Sequence, residues 1–205
     1  MTGAGPNRCP TVADVLPAGA TPLDPDEADG LIPDHVSTRG ELNAWEQLNI
    51  GDAVAWLGRR TDVASLLTIE FVTELHRRMF SDTWRWAGRF RWTLKNIGVP
   101  PEAIVERTHD LLADTRYWME NGTYPADEIA VRFHHRLVSI HPFPNGNGRH
   151  GRLMTDALVR EIGAPTLTWG SGSIDHQGGV RHTYIRALQT ADAGDYAGLL
   201  AFVRS

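Results

Sequence analysis

Apolar residues recur at helical spacing along most of this chain. Between residues 38 and 58, Leu42, Trp45, Leu48, Ile50, Val54 and Leu57 return about every three or four positions, which predicts an amphipathic helix. A second helix is expected over residues 66–80. Pro100 and Pro101 open a third, with apolar positions at Ile104, Leu111, Leu112 and Trp118. Proline suits a first turn because its missing N–H would have no helical partner. Asn121 and Gly122 end that helix. A fourth starts near Pro125, and its stripe of Ala130, Phe133, Leu137 and Ile140 carries His141 to its C-terminal end. After Arg152, Leu153, Ala157, Leu158 and Ile162 continue a helix that Gly163 closes and Pro165 keeps from resuming. A Gly- and Ser-rich loop follows, then helical stretches over 180–191 and 196–203. The fold class is mainly α, without internal repeats.

One segment departs from the helical period. Residues 84–100 carry Trp84, Trp86 and Trp92, and β-favouring residues there flank the turn formers Asn96 and Gly98, so a short β-hairpin is expected over 91–99. The three tryptophans read as core or flap packing rather than a base-stacking platform. The opening residues, among them Ala18, Gly19, Ala20 and Pro22, offer little to pack. Residues 1–22 are read as a flexible segment and 23–205 as one domain.

Composition narrows the function. The 205 residues are 41% hydrophobic, enough for one sizeable core. A net charge of -5 lacks the basic excess that holds a nucleic-acid backbone. Cys9 is the single cysteine, which leaves no internal disulfide or cysteine zinc site and fits a reducing compartment. Neither a secretory leader nor an apolar run of membrane-spanning length is present, so a cytoplasmic location with no membrane partner is expected.

The chemistry concentrates in His141, Pro142, Phe143, Pro144, Asn145, Gly146, Asn147, Gly148, Arg149, His150, Gly151 and Arg152. The glycines let backbone amides approach an anion, and the start of the next helix adds unpaired N–H groups and a positive dipole end. Arg149 and Arg152 share a helix face, from which two guanidinium groups can pair with successive phosphates. A nucleoside di- or triphosphate is the implied ligand. His141 adjoins this cradle, and imidazole is suited to take a proton from an attacking hydroxyl. His134 and His135 read as packed core groups. Zinc on His134, His141 and His150 is disfavoured, because no His-Glu-x-x-His helix or cysteine cluster accompanies them.

This stretch resembles the Fic signature His-Pro-Phe-x-(Asp/Glu)-Gly-Asn-Gly-Arg-x-x-Arg, with Asn145 at the acidic position. The likeness continues through Trp86, Ala87, Gly88 and Arg91, which lead into the family's flap. It also includes Tyr184, Ala187, Leu188, Ala191, Asp192, Gly194 and Asp195, similar to the family's C-terminal helices. Residues 37–50 together with Asn145 resemble the subgroup called mobile mystery protein B. The resemblance implies a helical bundle with a β-hairpin flap, and a bacterial protein adenylyltransferase that moves AMP from ATP, with Mg2+ or Mn2+, to a Ser, Thr or Tyr hydroxyl of a target protein. It implies His141 as general base, Gly146, Asn147 and Gly148 as anion hole, and Arg149 and Arg152 on inner and terminal phosphates. Phe143 would anchor the loop, and Thr93, Leu94, Lys95, Asn96, Ile97 and Gly98 would form the target-docking flap.

Asn145 would replace the family's metal-holding carboxylate with a neutral amide, so weaker metal affinity is expected. Ser37 and Glu41 have the spacing of the family's inhibitory Ser/Thr-x-x-x-Glu element, which would put Glu41 on Arg152, although Leu42 departs from that pattern. The plainer reading makes Ser37 part of an N-cap region and Glu41 a helix-surface residue. Two alternatives stay open: phosphoryl transfer from a reversed nucleotide, and a non-catalytic regulator that binds a nucleotide or protein. A toxin-like role, a small regulatory partner and an oligomer are compatible with the subgroup.

Overall fold

The computed structural model describes residues 22–59, 65–171 and 178–205. Apart from Pro22, the expected flexible segment 1–22 lies outside the described residues, as do residues 172–177 of the Gly- and Ser-rich loop. The described residues form α1 (Pro25–Ala28), α2 (Arg39–Gly58), α3 (Ile69–Phe80), α4 (Ile104–Asn121), α5 (Ala126–Ile140), α6 (Asn147–Ile162), α7 (Gly179–Asp192) and α8 (Ala197–Val203). Local chemistry sets their ends. Thr38 and Thr68 cap α2 and α3, each hydroxyl accepting the N–H of the residue three positions on at 3.2 Å. Pro101 begins a 3-10 turn that runs into α4, and Gly122 and Gly163 close α4 and α6 in the left-handed conformation.

α5 and α6 form the centre of the packing. α4 lies on α5, α3 on α6, α2 on α3, and the α7–α8 pair is joined through α8 to α5. α5 is buried on two faces: Phe133 and Leu137 join Phe71, Leu75, Met79, Phe80, Leu111 and Leu158 in one apolar cluster, while Ala130 and Val131 join Leu199 and Phe202 in another. A methyl group on Gly151 would sit 2.8 Å from Val138 Cγ1, so α6 approaches α5 closely there because it carries glycine. His134 is buried between Thr155 Oγ1 (3.2 Å) and the Tyr184 hydroxyl (2.8 Å), which links α5, α6 and α7. Burial pushes its pKa down to about 3, against a raising contribution from the Gly151 backbone.

The expected hairpin over 91–99 has no strand ladder, and among the described residues the only β-bridge joins Leu31 to Trp84. The reason is a side chain. The Arg91 guanidinium lies between the two limbs, donating to the carbonyls of Thr93 (2.8 Å) and Val99, where a hairpin would place amides of the facing strand.

Candidate active site

His141 is the residue that ends α5, and its backbone is left-handed, with φ 54° and ψ 59°. For a residue with a Cβ that conformation costs on the order of 1–2 kcal/mol. Arg91 offsets the cost. Its Nε donates to the His141 carbonyl at 2.6 Å and its backbone N–H to the Pro142 carbonyl at 2.9 Å, while the Val99 N–H reaches the Ile140 carbonyl at 3.2 Å. Three successive carbonyls around His141 are thus held from the 91–99 segment. Gly98 completes the fit: with φ 104°, a methyl group there would lie 2.6 Å from the Arg91 guanidinium and 2.7 Å from His141 Cβ.

His141 is 8% exposed, and its Nδ1 lies 3.4 Å from the Val138 carbonyl. A proton on Nδ1 answers that carbonyl and keeps the Nε2 lone pair as acceptor. Burial drives the pKa down to about 4; the Val138 carbonyl works the other way, and the charges of Arg91 and Lys95 lower it further. At neutral pH the imidazole is uncharged, the form a general base must have.

The following loop is locked from two sides. Asn147 Oδ1 accepts the Phe143 N–H at 2.9 Å and its Nδ2 donates to the Phe143 carbonyl at 2.7 Å, so the side chain clamps the loop and its backbone amide faces the cradle as a first-turn N–H. Phe143 is fully buried and stacks on His76 with ring centroids 3.7 Å apart. The His76 Nδ1 accepts the Gly88 N–H at 3.0 Å, which leaves Nε2 to donate to the Asn145 carbonyl at 3.1 Å. Burial holds His76 well below the ordinary histidine pKa. Gly146 precedes α6 with φ 78°, and a methyl group there would meet the Phe80 ring at 2.5 Å. A methyl group on Gly148 would meet only Arg152 Nη1, at 4.0 Å. The His150 N–H closes the first helical bond onto the Gly146 carbonyl, so the amides of Asn147, Gly148 and Arg149 have no acceptor within the helix.

Asn145 Oδ1 accepts the Gly146 N–H at 2.6 Å. That bond removes the Gly146 amide from the expected anion hole and engages the one oxygen that was to hold a metal. Among the described residues no group of three His, Cys, Asp or Glu side chains is placed to ligate a metal ion. This donor set does not fit a magnesium ion held by the protein. A divalent cation fits only as the counter-ion of a bound triphosphate.

Arg149 pairs through Nη1 with Glu46 Oε2 of α2 at 2.7 Å and lies 5.0 Å from the Phe80 ring centre. Arg152 sits three residues on, near Asp156. Burial raises the Asp156 pKa, whereas the Trp169 Nε1–H (2.8 Å) and the Arg152 charge lower it. Glu41 does not meet Arg152. Its Oε2 accepts the backbone N–H of Ser37 and Thr38 at 2.9 Å each and the Ser37 hydroxyl at 3.2 Å, forming a capping box at the start of α2. Those bonds, the Ser37 amide foremost, lower its pKa. In this structure Glu41 therefore serves as a helix cap, the plainer of the two readings.

The 93–98 segment alternates. Thr93 donates to Glu27 (2.7 Å), and Lys95, 2% exposed at its side chain, pairs with Asp24 (2.6 Å) and with Glu27. Trp92, Leu94 and Ile97 are exposed, Leu94 to 74%. Asn96 is also exposed. Sequence reasoning missed Glu27, Glu46 and His76 as supports of the site. Their partners lie far along the chain, His76 and Asn145 being 69 residues apart, so no local spacing marks them.

A family model described as Fic/DOC family matches residues 66–159. Among curated relatives, protein adenylyltransferase Fic of Nematostella vectensis is 32% identical over 141 residues, covering 67% of this chain and 31% of the relative. Protein adenylyltransferase fic-1 of Caenorhabditis elegans is 29% identical over 145 residues, covering 67% and 26%. The chain spans less than a third of the length of these relatives. Among solved structures, Fic-1 (aa134 - 508) from C. elegans superposes with a TM-score of 0.62 at 26% identity, covering 85% of this chain and 51% of that one. BepC of Bartonella tribocorum, with bound AMPPNP, gives a TM-score of 0.67 at 15% identity over 86% and 95%, a likeness of fold.

Proposed function

With residues 66–159 a Fic/DOC family domain, we propose that this protein is an adenylyltransferase that transfers AMP from ATP to a Ser, Thr or Tyr hydroxyl of a target protein. The observation that carries the reading is the neutral, buried His141 held in a fixed backbone conformation immediately before the amide-rich start of α6. In the reaction, the target hydroxyl oxygen attacks the α-phosphorus of ATP while its proton passes to His141 Nε2. The bond between the α-phosphorus and the bridging oxygen breaks, and pyrophosphate leaves. The amides of Asn147, Gly148 and Arg149 bind phosphate oxygens, and the guanidinium groups of Arg149 and Arg152 balance the charge of the leaving pyrophosphate. Magnesium or manganese would enter only as the counter-ion of the triphosphate, neutralising phosphate charge.

Gly98 seats the 93–98 segment beside His141, and Trp92, Leu94 and Ile97 present the apolar surface a target segment would cover. α2, α7 and α8 flank the matched region and pack on it, so residues 23–205 are read as one unit. The subgroup assignment, a bacterial cytoplasmic setting and a toxin-like role rest on the sequence resemblance. Asn145 favours one second reading: a nucleotide-binding regulator without turnover, because no carboxylate stands at the metal position. Incubation with ATP labelled at the α-phosphate and a cell lysate separates the two. Protein-bound label supports transfer, and nucleotide binding with no label supports the regulator.

A further inference from the structure

Arg149 is held in place by a carboxylate outside the family-matched region. Glu46 belongs to α2, is 2% exposed, and accepts the Trp84 indole N–H at 2.7 Å through Oε1 while Oε2 takes Arg149 Nη1 at 2.7 Å. A carboxylate fixed on both oxygens cannot follow Arg149 if that side chain moves. The Phe80 ring bounds the guanidinium on another side and also fills the space beneath Gly146. Arg149 is thus clamped between a buried anion and an aromatic face, with 18% of its side chain exposed. Only one of its five N–H groups goes to Glu46. The others have no hydrogen-bond acceptor among the described residues and are available to an anion.

We propose that Glu46 is a positioning residue: through Arg149 it pre-aligns the guanidinium with the phosphate cradle, so that nucleotide affinity depends on the docking of α2. This rests on the reading of Arg149 as a phosphate ligand. Pre-alignment raises affinity because the entropy of ordering a long side chain has already been lost before the ligand arrives. A carboxylate that instead competed with phosphate for Arg149 would have the opposite effect, since its removal would leave the cradle more positive.

The test has two arms on full-length protein. In the first, side-chain NMR of 15N-labelled arginine follows rotation of the Arg149 guanidinium, assigned from its loss in Arg149→Lys, with no nucleotide present. In the second, calorimetry measures ATP affinity for wild type, Glu46→Gln, Trp84→Phe, Arg149→Lys and the Glu46→Gln/Arg149→Lys double variant. Glu46→Gln is expected to free the rotation and weaken ATP binding about fivefold, with Trp84→Phe between it and wild type. Once Arg149 is lysine, Glu46→Gln is expected to add less than about a twofold effect. Unchanged rotation, unchanged ATP affinity, tighter binding in Glu46→Gln, or an undiminished effect in the double variant would each overturn the proposal. If wild type binds no triphosphate, the proposed function falls, and the rotation arm alone decides whether Glu46 orients Arg149.

Discussion

The loop from His141 to Asn147 and the outer edge of the 92–97 segment lie close together and are built in opposite ways. Every turn of the loop is held: Arg91 and Val99 bind the carbonyls of residues 140–142, Asn147 clamps Phe143, and His76 supports both Phe143 and Asn145. The neighbouring segment anchors Thr93 and Lys95 inward on Glu27 and leaves Trp92, Leu94 and Ile97 exposed. On the proposed function, the difference separates two tasks. A base and an anion cradle gain from rigidity, since reorganisation during reaction is costly. A surface meant to accept different protein segments gains from exposed, uncommitted side chains.

Substitutions in the two regions should therefore differ in kind. The largest effect is expected from Gly146→Ala, which places a methyl group 2.5 Å from the Phe80 ring at φ 78°. Strain and overpacking together should cost about 2–5 kcal/mol in urea unfolding and abolish nucleotide binding. Gly122→Ala, equally left-handed but with no atom within 4 Å, serves as control and should cost only about 1–2 kcal/mol. A Gly146→Ala variant as stable as wild type would break the contrast.

Arg91→Met comes next. It strips the carbonyls of His141, Thr93 and Val99 of a shared donor, which should lower stability by about 2–4 kcal/mol. Transfer should fall further than the lost stability explains, because the His141 backbone is no longer held. Comparing kcat for the folded fraction of each protein measures this.

Acid should act on the rigid region first. His76 titrates well below the usual value, His141 and His150 at about 4 and His134 at about 3, while in the unfolded chain histidine titrates near 6.5. The unfolded state therefore binds more protons below about pH 6.5, and stability is fully present above that pH and lost as pH falls toward 4. Each such histidine contributes up to about 1.4 kcal/mol per pH unit in that window. Urea midpoints at about pH 7 and about pH 5 test the slope; a flat profile contradicts these burials.

The smallest stability effect belongs to the open edge. Leu94→Ser should shift stability by less than about 0.5 kcal/mol and leave ATP affinity unchanged, while KM for the protein target rises. A fall in kcat with unchanged KM would mean that this edge takes part in the chemistry rather than in docking.

The same contrast explains what the sequence made legible. α5 and its terminal His141 follow from a regular apolar stripe, and the α6 start follows from glycines that only particular turns require. The support of the site was not legible. Glu46 stands in α2 like any solvated glutamate until Trp84 and Arg149 are brought to it from 38 and 103 residues away. His76 is tied to Gly88 and Asn145, 12 and 69 residues away, which no local spacing marks. The expected hairpin rested on β-favouring residues around turn formers, and it has no ladder because Arg91 supplies side-chain donors where a partner strand would supply amides. Glu41 left two readings open, as its spacing from Ser37 serves an inhibitory element and a capping box equally well, and the structure shows the capping box.

The central claim is that His141 is the base of an adenylyl transfer, and the direct measurement is label transfer from α-labelled and γ-labelled ATP by wild type and His141→Ala. The account predicts protein-bound label from the α-labelled nucleotide only, reduced at least about 100-fold in His141→Ala, with ATP affinity nearly unchanged. Label from the γ-phosphate, or undiminished transfer by His141→Ala, would contradict it.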